Sequence, residues 1–126
     1  MGWTIAFDRV AESELEAFRD VRPTLARLRA AFGLRTLAAL LDTDPGNLSR
    51  SLAGKRRLPP EIARRAIDLD HVLTRAAQIF QPPVVLDWLL GGDPFLNGAR
   101  PVDVLATHGA GPLLEALDGA AAGAYA

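Results

Sequence analysis

Between residues 47 and 57 the chain reads NLSRSLAGKRR, and six of those side chains share one kind of chemistry. The Asn47 amide can pair with an adenine edge, and the Arg50 guanidinium fits either guanine or a phosphate. Ser49 stands between them, and Lys55, Arg56 and Arg57 follow as an unbroken cationic run suited to phosphate oxygens. Arg64 and Arg65 extend that charge into the next segment. What such residues do together is hold a polyanion, with an affinity that falls steeply as salt is raised. Catalytic constellations are not legible. The two histidines, His71 and His108, have no second ligand at helical spacing, so neither a metal nor another cofactor is expected. Asp68 and Asp70 would point apart on a helix, with Arg64 or Arg65 in reach of Asp68. Ser49 and Ser51 lack a histidine partner, and Gly91-Gly92 follows a helical stretch rather than a strand. The chain reads as a non-enzyme.

The elements that must position these residues are helices. Leu25, Leu28 and Phe32 share a face of a helix that Pro23 starts and Gly33 ends. Arg35 to Leu41 forms a second, short helix. Asp42-Thr43-Asp44 makes a turn, with Asp44 an N-cap and Pro45 the first residue of a third helix that Gly54 closes. Ala38 is small where the two short helices would cross. Asp42, four residues on, suits a left-handed turn position, and Leu48, six further, suits an apolar anchor. This is the spacing of a helix-turn-helix, whose second helix would present Gly46, Asn47, Ser49, Arg50 and Ala53 outward. Gly46 adds nothing to that reading surface.

Pro59-Pro60 opens a long helix with the stripe Ile62, Ala66, Leu69, Leu73, Ala76, Phe80. Gln81-Pro82-Pro83 breaks it and marks the internal boundary. Val84 to Leu90 is apolar except at Asp87, which predicts a helix buried nearly all round. Phe95 and Leu96 precede an Asn97-Gly98 turn whose flanks do not alternate, so no hairpin is expected. Pro101 starts a helix with Val102, Val104 and Leu105 that Gly109 stops. Pro112 starts the last, with Leu113, Leu114 and Leu117 inward and Gly123 as its cap. Upstream, residues 12–20 suit a short amphipathic helix, and Trp3, Ile5 and Phe7 an irregular arm. The prediction is an all-α chain of about eight helices without repeats.

The 126 residues are 49% hydrophobic, enough for a packed interior built mainly from Leu and Ala. Cysteine is absent, which excludes disulfides and thiolate metal sites. No apolar run is long enough for a bilayer, no signal peptide is legible, and Ala6 breaks the myristoylation pattern, so a cytoplasmic protein with no membrane partner is expected. The net charge of −1 conceals a split. Residues 34–83 carry eight bases and five acids, whereas residues 84–126 carry five acids and one base, Arg100. The middle and the end are suited to different partners.

From Trp88 the chain reads WLLGGDPFLNGARPVDVLATHG, then LLEAL and a closing GAYA. This order resembles the toxin-binding domain of the Xre/MbcA/ParS antitoxin family. Trp88, Pro94, Leu96, Gly98, Pro101, Asp103, Leu105, Gly109, Gly123 and Tyr125 stand in matching places. An Xre-like helix-turn-helix lies just upstream in that family, as residues 34–58 do here, so the resemblance spans residues 34–126. The spacing from tryptophan to the proline-led helix departs slightly from the family's.

The N-terminal arm (1–22) lies outside the resemblance, which implies an Xre-like helix-turn-helix bundle with a long following helix within 23–81 and a small helical toxin-binding module with its tail (82–126). It implies a type II antitoxin that neutralises a RES-domain, NAD-degrading toxin. Gly123, Ala124, Tyr125 and Ala126 would enter the NAD cleft, with Arg100 also in toxin contact. Small residues thread a narrow cleft, a tyrosine ring can stack there, and the terminal carboxylate can meet arginines. Autoregulation through operator DNA is implied too, by a homodimer within a larger toxin–antitoxin complex, with the Leu-rich helices from 60 to 90 as the dimer surface. Two rival readings exist. A stand-alone helix-turn-helix regulator would use its C-terminal module only to dimerise. A protein adaptor with a lapsed helix-turn-helix would not bind DNA even at low salt. Residues 120–126 also have the composition of a frayed last turn.

Overall fold

The computed structural model describes residues 21–123. The helix expected over 12–20, the Trp3–Ile5–Phe7 arm and the tail residues Ala124, Tyr125 and Ala126 lie outside the described residues. The protein is all-α, with seven α-helices, one 3-10 turn and no strand among the described residues. No helix there is long and apolar enough to cross a membrane. The chain divides into two compact units, Met1–Ala66 and Ile67–Ala126.

In the first unit, α1 (Val21–Phe32) packs on both α2 (Leu34–Leu41) and α3 (Pro45–Leu52). Helix α1 begins two residues before Pro23 and buries Val21, Leu25 and Leu28. Phe32, expected in the core, is half-buried, because it occupies the final turn. Gly33 joins the first two helices at φ 83°: its N–H closes on the Arg29 carbonyl at 2.7 Å, and its own carbonyl accepts from Leu37.

Asp42 then ends α2 in the left-handed conformation, φ 55° and ψ 52°. Asp44 caps α3, its Oδ2 accepting from the Asn47 N–H at 3.0 Å, with Pro45 in the first turn. Leu48 and Ala38 are buried beneath this corner, as their spacing predicts. Arg65, expected to face phosphates, instead donates from Nη1 to the Leu41 carbonyl at 3.1 Å. A helix leaves its last carbonyls without partners, and this guanidinium satisfies one of them.

Helix α4 (Pro60–Ala76) runs from the first unit into the second. Its buried positions are Ile62, Ala63, Ala66, Leu69, Val72 and Ala76. Val72 takes the place expected for Leu73, which is half-buried, and the α-helix stops short of Phe80. Three-residue bonds from Gln78 to Arg75 and from Ile79 to Ala76 tighten the end. Gln81, held extended at φ −66° and ψ 149° as a residue before proline must be, finishes it.

The second unit continues with α5 (Pro82–Leu90), a 3-10 turn (Pro94–Leu96), α6 (Pro101–His108) and α7 (Gly111–Gly123). Helix α6 packs on both α5 and α7. Helix α5 is not buried all round: Val85 and Leu89, one turn apart, face inward, whereas Val84 and Leu90 are exposed. A nine-residue helix covered from one side hides a single stripe, however apolar the rest of it is. Leu105, Leu113, Ala116 and Leu117 complete the interior, with Leu114 half-buried at its edge. Gly123, expected as a cap beyond the helix, is itself helical and is the last described residue. Arg75 of α4 bonds Asp118 of α7 through Nε and Nη2, both at 3.0 Å.

Replacing Asp44 with alanine removes the cap of α3 and is expected to cost about 1 kcal/mol. Urea unfolding should show a lower midpoint with an unchanged slope.

Candidate functional site

The polar residues of α3 converge because helix spacing and the following loop bring them to one atom. Oδ1 of Asn47 accepts from Nη2 of Arg50 at 2.5 Å, one turn along α3, and from Nη1 of Arg56 at 2.8 Å, across the loop. Both lone pairs of that carbonyl are therefore engaged, and its amide Nδ2 has no partner among the described residues. Pairing with an adenine edge, the role expected for Asn47, requires both amide atoms and so the release of a guanidinium. In the arrangement observed, Asn47 positions Arg50 and Arg56.

Gly46 contributes by having no side chain. A Cβ there would lie 2.9 Å from Oδ2 of Asp44 and 3.3 Å from Nη1 of Arg50. Ser49, Arg50, Lys55, Arg56 and Arg57 are exposed, and Asn47 is half-buried. The six expected polyanion contacts thus lie on α3 and the loop after it. Over the first unit, residues 1–66, twelve bases face eight acids, a net +4, and ten of those bases but only three of the acids lie in residues 21–66.

The second unit has the opposite sign: over residues 67–126 seven acids face two bases, a net −5. Its centre is Asp93, a residue to which the sequence reading assigned no role. This carboxylate is 8% exposed, yet Oδ2 accepts the Trp88 indole N–H at 2.7 Å and Oδ1 the Phe95 backbone N–H at 2.8 Å. Its backbone carbonyl accepts from Leu96 and Gly98, and its N–H donates to Ala99. A buried carboxylate is tolerable only when bonded in this way. An Asp-Pro pair a few residues after a tryptophan was the signal available. The loop closes tightly enough that a Cβ on Gly92 would lie 2.7 Å from the Gly98 carbonyl oxygen. Asn97 and Gly98 complete it at φ 58° and 83°, a turn without a hairpin. Trp88 is half-buried, leaning against Phe80 with ring centres 6.1 Å apart.

Phe95 is 63% exposed, the largest apolar exposure among the described residues. One edge of its ring lies over Gly119 of α7, where a Cβ would come within 2.7 Å of Cε1. No local pattern in the sequence announces that contact. Arg100, at the N-cap of α6, is held by Asp103 through two bonds, Nε to Oδ2 at 2.8 Å and Nη2 to Oδ1 at 3.0 Å. These hydrogen bonds, with the ion-pair attraction, hold the Asp103 carboxyl below the usual carboxylate range and raise the guanidinium. Gly123 is exposed at the end of α7. Arg100 and Gly123 belong to a different unit from the Asn47 cluster. No group of metal-binding side chains occurs among the described residues. Compared with family models, curated proteins and solved structures, the chain finds no match in any of the three.

Two outcomes follow from this geometry. Because its pKa is depressed in the fold, Asp103 contributes stability above the ordinary carboxylate range and loses it as pH falls through the lowered value. A carbon-13 titration of Asp103 should therefore move upward in pH in Arg100→Ala; an unmoved titration would show the pair to be unformed in solution. Gly119→Ala should displace the Phe95 ring, seen as shifted aromatic resonances. Alanine's higher helix propensity, worth roughly 1 kcal/mol, offsets the cost, so the unfolding midpoint should change little.

Proposed function

We propose that this chain is an antitoxin of a type II toxin–antitoxin system, neutralising a RES-domain toxin through its second unit and binding operator DNA through its first. The observation that carries the proposal is the segregation of charge between two compact units, a net +4 over residues 1–66 and −5 over residues 67–126. Polyanionic DNA favours the cationic unit, and a basic nucleotide-binding cleft favours the acidic one. On the first, Arg50, Lys55, Arg56 and Arg57 contact phosphates or guanine, with Asn47 setting two of them and Ser49 beside them. On the second, Phe95 supplies an exposed aromatic anchor of the kind that dominates protein interfaces. Arg100 and the residues from Gly123 to Ala126 contact the toxin, Tyr125 entering its NAD cleft.

The last described turn, Ala120 to Gly123, carries only methyl groups and a glycine, so few side-chain contacts oppose its unwinding on insertion. Neutralisation is by occlusion, and this chain does no catalysis. It acts in the cytoplasm and pairs as a homodimer within the complex.

A second reading is favoured by the exposed Val84 and Leu90 of α5. In it the second unit only dimerises, and the chain is a stand-alone transcriptional regulator.

Co-expression with the product of the adjacent gene, followed by growth and cellular NAD, separates the two. The full chain should protect, whereas a chain stopped after Gly119 should still bind the enzyme but leave NAD depleted. Equal protection by the shortened chain would remove the tail from the mechanism. If neither chain affects NAD while the protein binds its upstream DNA, the regulator reading holds. Asn47→Ala combined with Arg50→Ala should abolish DNA retention and spare protection.

A further inference from the structure

Beside the Asn47 cluster the first unit contains a cavity of about 430 Å³ whose wall includes Lys55, Arg56 and Arg57 of the proposed DNA contacts but also Arg22 and Ser51, to which that reading gives no role. It lies among Val21, Arg22 and Leu25 of α1, Ser51 at the end of α3, and the loop from Gly54 to Leu58. Four of its lining residues are cationic: Arg22, Lys55, Arg56 and Arg57. Among the described residues no carboxylate forms an ion pair with any of them. Gly54 sustains the crowding, since a Cβ there would lie 2.9 Å from Nη1 of Arg22, and its φ of 76° suits glycine.

The second observation is independent of charge. Ser51 is 3% exposed, and its Oγ has no hydrogen-bond partner. A buried hydroxyl without a partner costs free energy, and a serine in a helix can avoid this by bonding a carbonyl one turn back. This one lines the cationic cavity instead.

We propose that the cavity is a binding site for a small phosphate monoester, whose phosphate accepts from the Ser51 hydroxyl and from Arg22, Lys55, Arg56 and Arg57. A phosphate presents several acceptor oxygens and about two negative charges, which match a hydroxyl donor and surrounding cations. The cavity exceeds what a bare phosphate fills and is in the size range of ligand pockets. Val21, Leu25 and Leu58 give part of its wall an apolar character, so the ligand carries an organic body, and guanidinium planes accept a stacked ring. A nucleoside monophosphate has both parts. Arg56 also bonds Asn47, and with Lys55 and Arg57 it is shared between this site and the proposed DNA contacts.

The test is calorimetric titration of the full chain in phosphate-free, low-salt buffer, without DNA or toxin, so that its result is independent of the antitoxin reading. The probes are adenosine monophosphate, adenosine and inorganic phosphate. Adenosine monophosphate should bind, adenosine should not, and inorganic phosphate should bind more weakly. Ser51→Ala should weaken the monophosphate roughly tenfold or more, since it removes a bond to a charged group, and Arg22→Gln should weaken it at least as much. Because the Ser51 hydroxyl bonds nothing in the fold, Ser51→Ala should unfold at the same urea concentration as the wild type or higher, which excludes misfolding as the cause. The proposal is overturned by no binding, by binding indifferent to both substitutions, or by inorganic phosphate binding as tightly as the monophosphate.

Discussion

The first unit depends on a corner made by one residue in a left-handed conformation. At Asp42 the chain leaves α2 with φ 55°, and three residues later it enters α3 with Asp44 capping and Pro45 in the first turn. Most residues pay roughly 1–2 kcal/mol to occupy that region, and aspartate is among those that tolerate it. Given the corner, Leu48 falls onto the core and Asn47 and Arg50 fall outward. Arg65 reinforces the same place from α4 by bonding the Leu41 carbonyl.

The two units handle charge in opposite ways. In the first, like charges are gathered around neutral acceptors: two guanidiniums share the Asn47 carbonyl, and four cationic side chains surround a cavity with a hydroxyl in its wall. Gathering cations without carboxylates leaves a positive field that an anion relieves. In the second, the one buried acid, Asp93, is spent on structure: its oxygens organise the loop between α5 and α6 by holding an indole N–H and a backbone N–H. Asp103 and Asp118 are exposed, and each bonds an arginine of its own unit. The acidic unit therefore pairs Asp103 and Asp118 with its own arginines and exposes Phe95, whereas the cationic one sets Arg50 and Arg56 on a neutral amide oxygen.

Much of the architecture was legible, because helix ends are written in local chemistry. Pro45, Pro60, Pro82 and Pro101 each stand in a first turn, and Gly33 and Gly109 each close a helix at positive φ. The left-handed Asp42, the cap at Asp44 and the burial of Leu48 followed from spacing within ten residues. Burial was less legible where it depends on what lies opposite. Val72 displaced Leu73 from the stripe of α4, and Val84 and Leu90 stayed exposed, since hydrophobicity alone does not say which sides of a helix are covered. The site was legible as a set of residue types but not as a geometry. Nothing local indicates that Asn47 is bracketed by two arginines, that Arg65 is withdrawn to a helix end, or that Phe95 rests over Gly119. Those contacts join residues up to twenty-four apart or cross between elements.

The central claim is that one chain carries two separate surfaces for two partners. Its most direct test is to mix the chain with a fluorescent duplex from upstream of its gene, add the purified product of the adjacent gene, the proposed toxin, and follow the complex by native electrophoresis. Two separate surfaces predict a slower, three-component complex that retains the DNA. Release of the DNA in proportion to the toxin added would mean that both partners compete for one surface, and would contradict the account.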